Sequence, residues 1–192
     1  MTGFAAPGDA DAEEGFRALY DGNFTAVLGY ALRRVDQPAD AADVVSEVFL
    51  VAWRRYDEAP PGDGRPWLFG IARNVLSNYH RSARRRQRLG GRLRDTLQRE
   101  VEPDPAVGVA EWDRVRRVLL RLGPDDRELL MLVGWDGLTP SDAAGVIGIP
   151  PSTARMRLSR ARARFRTLWG DAQRPAGHVL DVLPPLVTGE PR

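Results

Sequence analysis

Arginine side chains concentrate near the carboxyl-terminal end of this chain. Positions 155–166 hold six arginines and no acidic residue, and positions 81–94 are likewise basic without an acid. A guanidinium donates hydrogen bonds in a planar fork that fits phosphate oxygens and the edge of guanine. A solvated amphipathic helix is the alternative for 155–166, but such a helix usually interleaves acids with its bases. The pattern therefore favours binding of nucleic acid.

The arginines of 155–166 lie on the second of two helices predicted between Leu138 and Arg166. Thr139 is the predicted cap of the first helix, followed by a proline and, three residues after the cap, by a carboxylate. Gly148 is expected to end that helix in the left-handed conformation, and Ser152 is expected to cap the next one after two prolines. The second helix has one apolar stripe, formed by Ala154, Leu158, Ala161, Phe165 and Leu168. This is the pattern of a helix-turn-helix, whose second helix fits the major groove of DNA.

Helical periodicity dominates the rest of the chain, so the predicted fold class is all-α. Further helices are predicted over 13–34 (with a kink at 21–23), 39–56, 66–86, 111–121 and 125–135. Glycines, acids and prolines between Gly90 and Ala110 are typical of a linker. We expect two small helical domains, 12–89 and 111–170, joined by a flexible linker over 90–110. Residues 1–11 and 171–192 are predicted to be disordered.

Composition excludes several kinds of site. The 192 residues include no cysteine and two isolated histidines, so neither a thiolate nucleophile nor a metal site is expected. No apolar run approaches the roughly 20 residues of a membrane span, and the acidic amino terminus is not a signal peptide. We therefore expect a cytoplasmic protein that is not inserted in a membrane. Catalytic groups are scattered over helix faces, so neither an enzyme activity nor a cofactor is predicted.

The predicted helix 39–56 has a polar face opposite its apolar stripe. This face contains Asp43, Ser46, Glu47, Leu50 and Arg54. Leu50 is an apolar side chain among polar neighbours, which indicates a contact surface. Single exposed leucines are also ordinary, so this observation alone is weak.

The predicted helix 66–86 carries a row of side chains that suits unpaired bases. The row is Trp67, Asn74, Asn78 and Arg81, and Arg84, Arg85, Arg86 and Arg88 follow it. An aromatic ring, amides and a guanidinium can stack on and hydrogen-bond to unstacked bases, while the arginine cluster would hold phosphates. For Trp67, packing into the core is an equally good interpretation.

Two blocks of this sequence resemble the extracytoplasmic-function (ECF) subfamily of bacterial RNA polymerase sigma factors. DVVSEVFLVAWRR (43–55) with RPWLFGIARNVLSNYHR (65–81) is similar to region 2 of these factors, and residues 122–166 are similar to region 4. The linker leaves no room for a region-3 domain, which is the ECF pattern. The resemblance covers roughly residues 12–170 and rests on two motif blocks in the right order.

The resemblance implies partners and roles. The face of 43–54 matches the surface that binds the β′ clamp of core RNA polymerase, and helices 111–135 would dock on the β flap. The loop 56–65 and the row from Trp67 to Arg85 match the part that captures the melted −10 strand of promoter DNA. The acidic linker residues Glu100, Glu102 and Asp104 would lie in the RNA-exit path, and an anti-sigma factor is an implied partner. The positions that match −35 recognition are Ser152, Thr153, Arg155, Met156, Ser159, Arg160 and Arg162.

Some positions depart from the family pattern, and other functions were weighed. Ser46 stands where a longer polar residue is usual, and Met156 stands where a small polar residue is frequent, so no relative's −35 sequence is transferred. A stand-alone helix-turn-helix regulator would explain 111–169 but leaves 43–88 unexplained. An enzyme with a DNA-binding appendage lacks a site, and a nucleoid protein does not suit the acidic first helices. Affinity for core polymerase without DNA separates a sigma factor from a regulator.

Overall fold

The structure is a computed structural model that describes residues 10–90 and 107–173, and these residues form helices and no strand. A short 3-10 turn, Tyr56–Glu58, lies between the second and third α-helices. The α-helices are α1 Ala10–Leu32, α2 Pro38–Arg54, α3 Arg65–Gly90, α4 Val107–Leu120, α5 Pro124–Gly134, α6 Pro140–Ile147 and α7 Pro151–Gln173. The prediction of an all-α fold is therefore confirmed.

The first unit consists of α1, α2 and α3, each packed against the other two. The buried side of α2 is Ala41, Val44, Val45, Val48, Phe49 and Ala52. The helical spacing of the sequence predicts a core face made of Ala42, Val45, Val48, Phe49, Ala52 and Tyr56. In the structure Ala42 is exposed and Tyr56 is half-buried, and Ala41 and Val44 are buried instead. The ring of Phe16 in α1 packs edge-on against Trp53 and Tyr56, which fixes α1 to the end of α2.

Helix α1 continues without a break through positions 21–23, where the sequence predicted a kink. The amide of Asn23 explains the continuity, because its Nδ2 donates to the carbonyl oxygen of Leu19 at 2.9 Å. Asparagine favours turns when its side chain competes with the helical backbone. Here the side chain is buried and bonds back to the preceding helical turn, so the competition is absent.

The second unit packs α4, α5 and α6 around α7. The predicted start and end of α6 are confirmed: Thr139 Oγ1 accepts from the Asp142 amide at 3.1 Å, and Gly148 has φ 75° and ψ 39°. Helix α7, however, begins at Pro151, so Ser152 lies inside the helix rather than at its cap. Proline suits the first helical position because the amide it lacks would have no partner there.

The linker over 90–110 stays a prediction, because residues 91–106 lie outside the described residues. Helix α3 extends to Gly90, and α4 begins at Val107, four residues before the helix predicted from position 111. Several predictions fall outside the described residues, namely those for 1–9, for the acidic linker positions and for the tail beyond 173. The side chains of Arg86 and Arg88 also lie outside them.

The two units are packed against each other, which the sequence did not predict. Helix α3 contacts α6, and one continuous cluster of buried apolar residues extends from Val27 in α1 to Ala161 in α7. Among the described residues, no helix is long and apolar enough to cross a membrane, and no group of His, Asp or Glu could hold a metal ion.

Candidate nucleic-acid and polymerase interfaces

Helix α7 presents most of the predicted −35 side chains to solvent. Ala154, Leu158 and Ala161 are buried against α4, α5 and α6, and this burial turns the opposite side of the helix outward. Met156 is 56% exposed, while Thr153 is half-buried. The exposed members of the predicted set are Ser152, Arg155, Met156, Ser159, Arg160 and Arg162. The exposed residues of the predicted set are therefore polar or cationic, with Met156 as the one large apolar side chain among them.

Arg157 differs from the other arginines of this helix. Its Nη1 lies 3.2 Å from Asp125 Oδ2, and its Nε lies 3.9 Å from Asp126 Oδ1. Both carboxylates belong to the first turn of α5, so the pair joins α7 to α5 within the second unit. Sequence reasoning placed Arg157 in the basic fan, and no local pattern identifies its partners, because they lie 32 and 31 positions away. Arg155, Arg160 and Arg162 make no ion pair with any residue that the structure describes.

The predicted polymerase-binding face of α2 is exposed as a whole. Asp43, Ser46, Glu47, Leu50 and Arg54 all lie on the solvent side of the helix. Leu50 is 50% exposed, which makes it a large apolar side chain on an otherwise polar surface. The Ser46 hydroxyl donates to the Ala42 carbonyl oxygen at 3.0 Å, so it is turned back on its own helix.

An apolar groove that the sequence analysis missed lies beside Leu50, between α1 and α2. Its volume is about 520 Å³. Tyr20 lies against both Phe24 and Phe49 in this groove, with ring centroids 5.3 and 4.5 Å apart. The sequence signal was available, because Phe16, Tyr20 and Phe24 recur at i, i+4, i+8 on one face of the predicted helix 13–34.

The predicted row of base-binding residues on α3 is divided in the structure. Trp67 is half-buried and packs against the core, whereas Asn74 and Asn78 are exposed. The two asparagines line a cavity of about 560 Å³ between α2 and α3, opposite Asp43 and Glu47. The predicted clamp-binding face and the amides of the predicted −10 site therefore border the same cavity.

The cationic end of the predicted −10 site continues along α3. Arg81, Arg84 and Arg85 are exposed, and an Arg81 Nη2 donates to the Ser77 hydroxyl oxygen at 3.4 Å. At the other end of α3, the loop before the helix turns at Gly62, whose φ of +90° favours glycine. The Asp63 carboxylate accepts from the Arg65 amide at 3.0 Å and so satisfies the first backbone donor of the helix.

A buried polar network joins the two units. The Tyr30 hydroxyl donates to Glu128 Oε1 at 2.7 Å, and Arg34 Nε lies 3.1 Å from Glu128 Oε2. Arg34 Nη2 donates to Asp136 Oδ2 at 2.8 Å, and Arg33 also pairs with Asp136. The guanidinium carbon of Arg34 lies 3.5 Å from the centre of the Tyr30 ring, within cation–π range.

Burial and charge shift the pKa values of this network. Burial raises the pKa of the Tyr30 phenol well above its ordinary value, so the hydroxyl stays protonated and remains a donor. Burial alone would lower the pKa of Arg34, but Tyr30, Glu128 and Asp136 raise it by more, so the guanidinium stays charged. Close to the network, burial also lowers the pKa of the His80 imidazole.

Comparison with known proteins gives two family matches. The model of sigma-70 region 2 matches residues 19–86, and the model of sigma-70 region 4 matches residues 112–165. The ECF RNA polymerase sigma factor SigL of Mycobacterium tuberculosis is 32% identical over 154 residues, which are 78% of this chain and 86% of SigL.

Two solved structures share the arrangement of helices. The sigma factor RpoE in complex with the anti-sigma factor NepR from Bartonella quintana has a TM-score of 0.62 and 26% identity, over 82% of this chain and 98% of RpoE. CnrH in complex with the cytosolic domain of CnrY has a TM-score of 0.64 and 26% identity, over 88% of this chain and 94% of CnrH.

Proposed function

This chain belongs to the ECF subfamily of sigma-70 factors and acts in promoter-specific transcription initiation, and we propose that it reads a −35 duplex with α7 and captures a melted −10 strand with α3. The observation that carries this proposal is the face of α7 in which Arg155, Arg160 and Arg162 are exposed and have no acidic partner among the described residues. Polymerisation is the chemistry of the polymerase, and this protein supplies the sequence specificity. It therefore acts in the cytoplasm, together with that enzyme.

Readout of the −35 element rests on the mixed chemistry of the α7 surface. Arg160 is an exposed guanidinium suited to the O6 and N7 atoms of guanine, and each such bidentate contact discriminates by about 1–3 kcal/mol. Met156 offers a thioether that suits the methyl group of thymine. Arg157 is bound to Asp125 and serves to hold α7 on α5. Within the same helix, Arg160 is therefore available to contact bases, whereas Arg157 holds α7 against α5.

Capture of the −10 strand rests on the cavity between α2 and α3. Unstacking a base costs a few kcal/mol, which a protein offsets by hydrogen bonds to the exposed base edge and by contacts to phosphates. The side-chain amides of Asn74 and Asn78 can donate and accept at a base edge, and the exposed arginines that follow suit the backbone. Trp67 is half-buried against the core and is not among the residues that line this cavity.

We assign binding of the β′ clamp of core polymerase to the exposed face of α2. We assign binding of the β flap to helices α4 and α5. Leu50 provides an apolar contact, and Asp43 and Glu47 provide charges around it. An interface core is depleted in charge and surrounded by a polar rim, and this face has that composition. RpoE was solved with the anti-sigma factor NepR, and we assign an anti-sigma partner to this chain as well. Since the chain has no cysteine, any thiol-based sensing would reside in that partner.

A promoter library tests the proposal directly. Core polymerase with this chain would transcribe templates whose −35 and −10 positions are randomised, and the RNA products would be sequenced. We expect one preferred sequence at each element. Arg160→Ala should relax only the −35 preference, and Asn78→Ala should relax only the −10 preference. Arg164 is an exposed arginine on the same helix as Arg160, and Arg164→Ala should change neither preference. Transcription no higher than with core polymerase alone would overturn the proposal.

A further inference from the structure

A cavity with a charged lining lies where the last turns of α1, the start of α3 and the turn after α5 meet. It belongs to neither of the proposed DNA-binding faces and not to the polymerase-binding face of α2. Its volume is about 320 Å³, which is at the small end of the range for pockets that hold small molecules. We call it the α1 cavity, and its lining includes Thr25, Gly29, Arg33, Arg65, Trp135 and Asp136.

Two buried guanidinium groups at this cavity each keep an N–H without a hydrogen-bond acceptor. The atoms are Nε of Arg33 and Nε of Arg65, and no other buried side-chain nitrogen or oxygen of the described residues lacks a partner. A buried donor without an acceptor costs free energy, and native proteins rarely contain one without a reason. Because both residues line the same cavity, we expect the missing acceptor inside it.

The charges around the α1 cavity favour an anion over a water molecule as that acceptor. The carboxylate of Asp136 is already shared between Arg33 and Arg34. Arg65 is half-buried at the cavity and forms no ion pair with any residue that the structure describes. A water molecule would accept a hydrogen bond but leave this positive charge uncompensated. An oxyanion does both, and guanidinium groups form their strongest hydrogen bonds with phosphate and carboxylate oxygens.

A glycine inside α1 makes room for one of the two guanidinium groups. Alanine is more favourable than glycine within a helix, so a helical glycine often has a packing reason. A Cβ atom at Gly29 would lie 3.1 Å from Nη1 and 3.4 Å from Nη2 of Arg33. A Cβ atom at Gly22 of the same helix would meet no atom within 4 Å. Gly29 therefore lets the Arg33 guanidinium lie against α1 at the edge of the cavity.

We propose that the α1 cavity binds a small phosphate species, with Arg33 and Arg65 as donors to its oxygens. Rotation about the terminal bonds of these two flexible side chains brings their covered Nε groups to the ligand. A tetrahedral phosphate offers acceptors in several directions, which suits guanidinium groups that come from different elements of the fold. The indole of Trp135 is 43% exposed and borders the cavity, so it can cover the organic part of a phosphate ester.

Calorimetric titration of the full chain with inorganic phosphate, at an ionic strength held constant with chloride, tests the site. We expect saturable binding to the wild-type chain. Arg65→Gln should raise the dissociation constant about 10- to 100-fold, because it removes a hydrogen bond between charged groups. Arg17 is an exposed arginine of α1 that does not line the cavity, and Arg17→Gln should leave the dissociation constant unchanged.

A pair of glycine variants keeps the test independent of misfolding. Gly29→Ala should weaken phosphate binding by displacing Arg33, although alanine favours the helix. Gly22→Ala is the matched control and should not weaken it. Thermal unfolding checks the fold of each variant. Absence of phosphate binding by the wild-type chain, or equal dissociation constants for Arg65→Gln and Arg17→Gln, would overturn the proposal.

Two further titrations identify the source of the phosphate. Glycerol 3-phosphate should bind more tightly than inorganic phosphate if an ester is the ligand, and more weakly if the free ion is the ligand. A short DNA duplex should not displace inorganic phosphate from the cavity. Displacement by the duplex would overturn the assignment to a small molecule and indicate a contact to the DNA backbone. None of these measurements needs polymerase, so this site and the proposed function can fail separately.

Discussion

Truncation of Leu50 to alanine tests the assignment of the α2 face to core polymerase. Burying a fully exposed leucine contributes about 1.5–3 kcal/mol. Leu50 is already half covered by its own domain, with 50% of its surface exposed. The part that a partner can still bury is therefore worth about 0.8–1.5 kcal/mol. Since 1.4 kcal/mol corresponds to a factor of ten, we expect the dissociation constant for core polymerase to rise about 4- to 12-fold.

The assay is a titration of labelled chain with core polymerase in the absence of DNA, at fixed salt. Leu32→Ala is the matched control, because Leu32 is also an exposed leucine of the first unit, at 43%, and belongs to none of the assigned faces. Thermal unfolding of both variants checks that neither has lost its fold. Equal dissociation constants for the wild-type chain and the Leu50 variant would contradict the assignment of Leu50 to the polymerase interface. An equal loss of affinity in the Leu50 and Leu32 variants would contradict it as well.

Three further predictions concern the second unit and the salt dependence. Arg157→Ala should lower the free energy of unfolding by at most about 1 kcal/mol, because the pair that Arg157 forms with Asp125 is partly exposed. The −35 preference should not change, because this pair holds α7 on α5 and does not contact DNA. Thermal unfolding measures the first effect, and promoter competition measures the second. Gly148→Ala should lower the free energy of unfolding by about 1–2 kcal/mol, because the backbone φ of +75° at this position disfavours alanine. Gly145→Ala inside α6 should raise the free energy of unfolding, because alanine favours the helix and its Cβ meets no neighbouring atom there. Denaturant titration of the two variants compares these effects. Promoter affinity of the polymerase complex should fall about a thousandfold or more between 50 and 200 mM salt if at least six phosphates are contacted, and a flat response would contradict the assigned arginine contacts.

Local chemistry predicted the features that depend on a few neighbouring residues. The start of α6 at Thr139 and its end at Gly148 follow from capping preferences, and the buried stripe of α7 follows from the helical period. The exposed face of α2 was predicted for the same reason. Its buried face was predicted correctly at Val45, Val48, Phe49 and Ala52. Ala42 is exposed and Tyr56 is half-buried in the turn after the helix, while Ala41 and Val44 are buried, because only the packing of α1 and α3 selects between neighbouring apolar positions.

Features that depend on distant partners could not be predicted in this way. Arg34 and Glu128 are 94 positions apart, and no periodic pattern connects an arginine after one helix with a glutamate on another. Arg157 appears in the sequence as one of six similar arginines, and only the position of α5 beside it distinguishes an anchor from a DNA contact. The groove beside Leu50 likewise forms only where side chains of α1 and α2 come together. Such features depend on how helices rotate and pack, which the period of a single helix does not determine.

Co-elution of the purified chain with core RNA polymerase at moderate salt, without DNA, tests the central claim most directly. We expect a one-to-one complex that is weakened when Glu47 and Leu50 are replaced together. A chain that does not bind core polymerase, yet binds duplex DNA tightly by itself, would contradict the account and indicate a helix-turn-helix regulator.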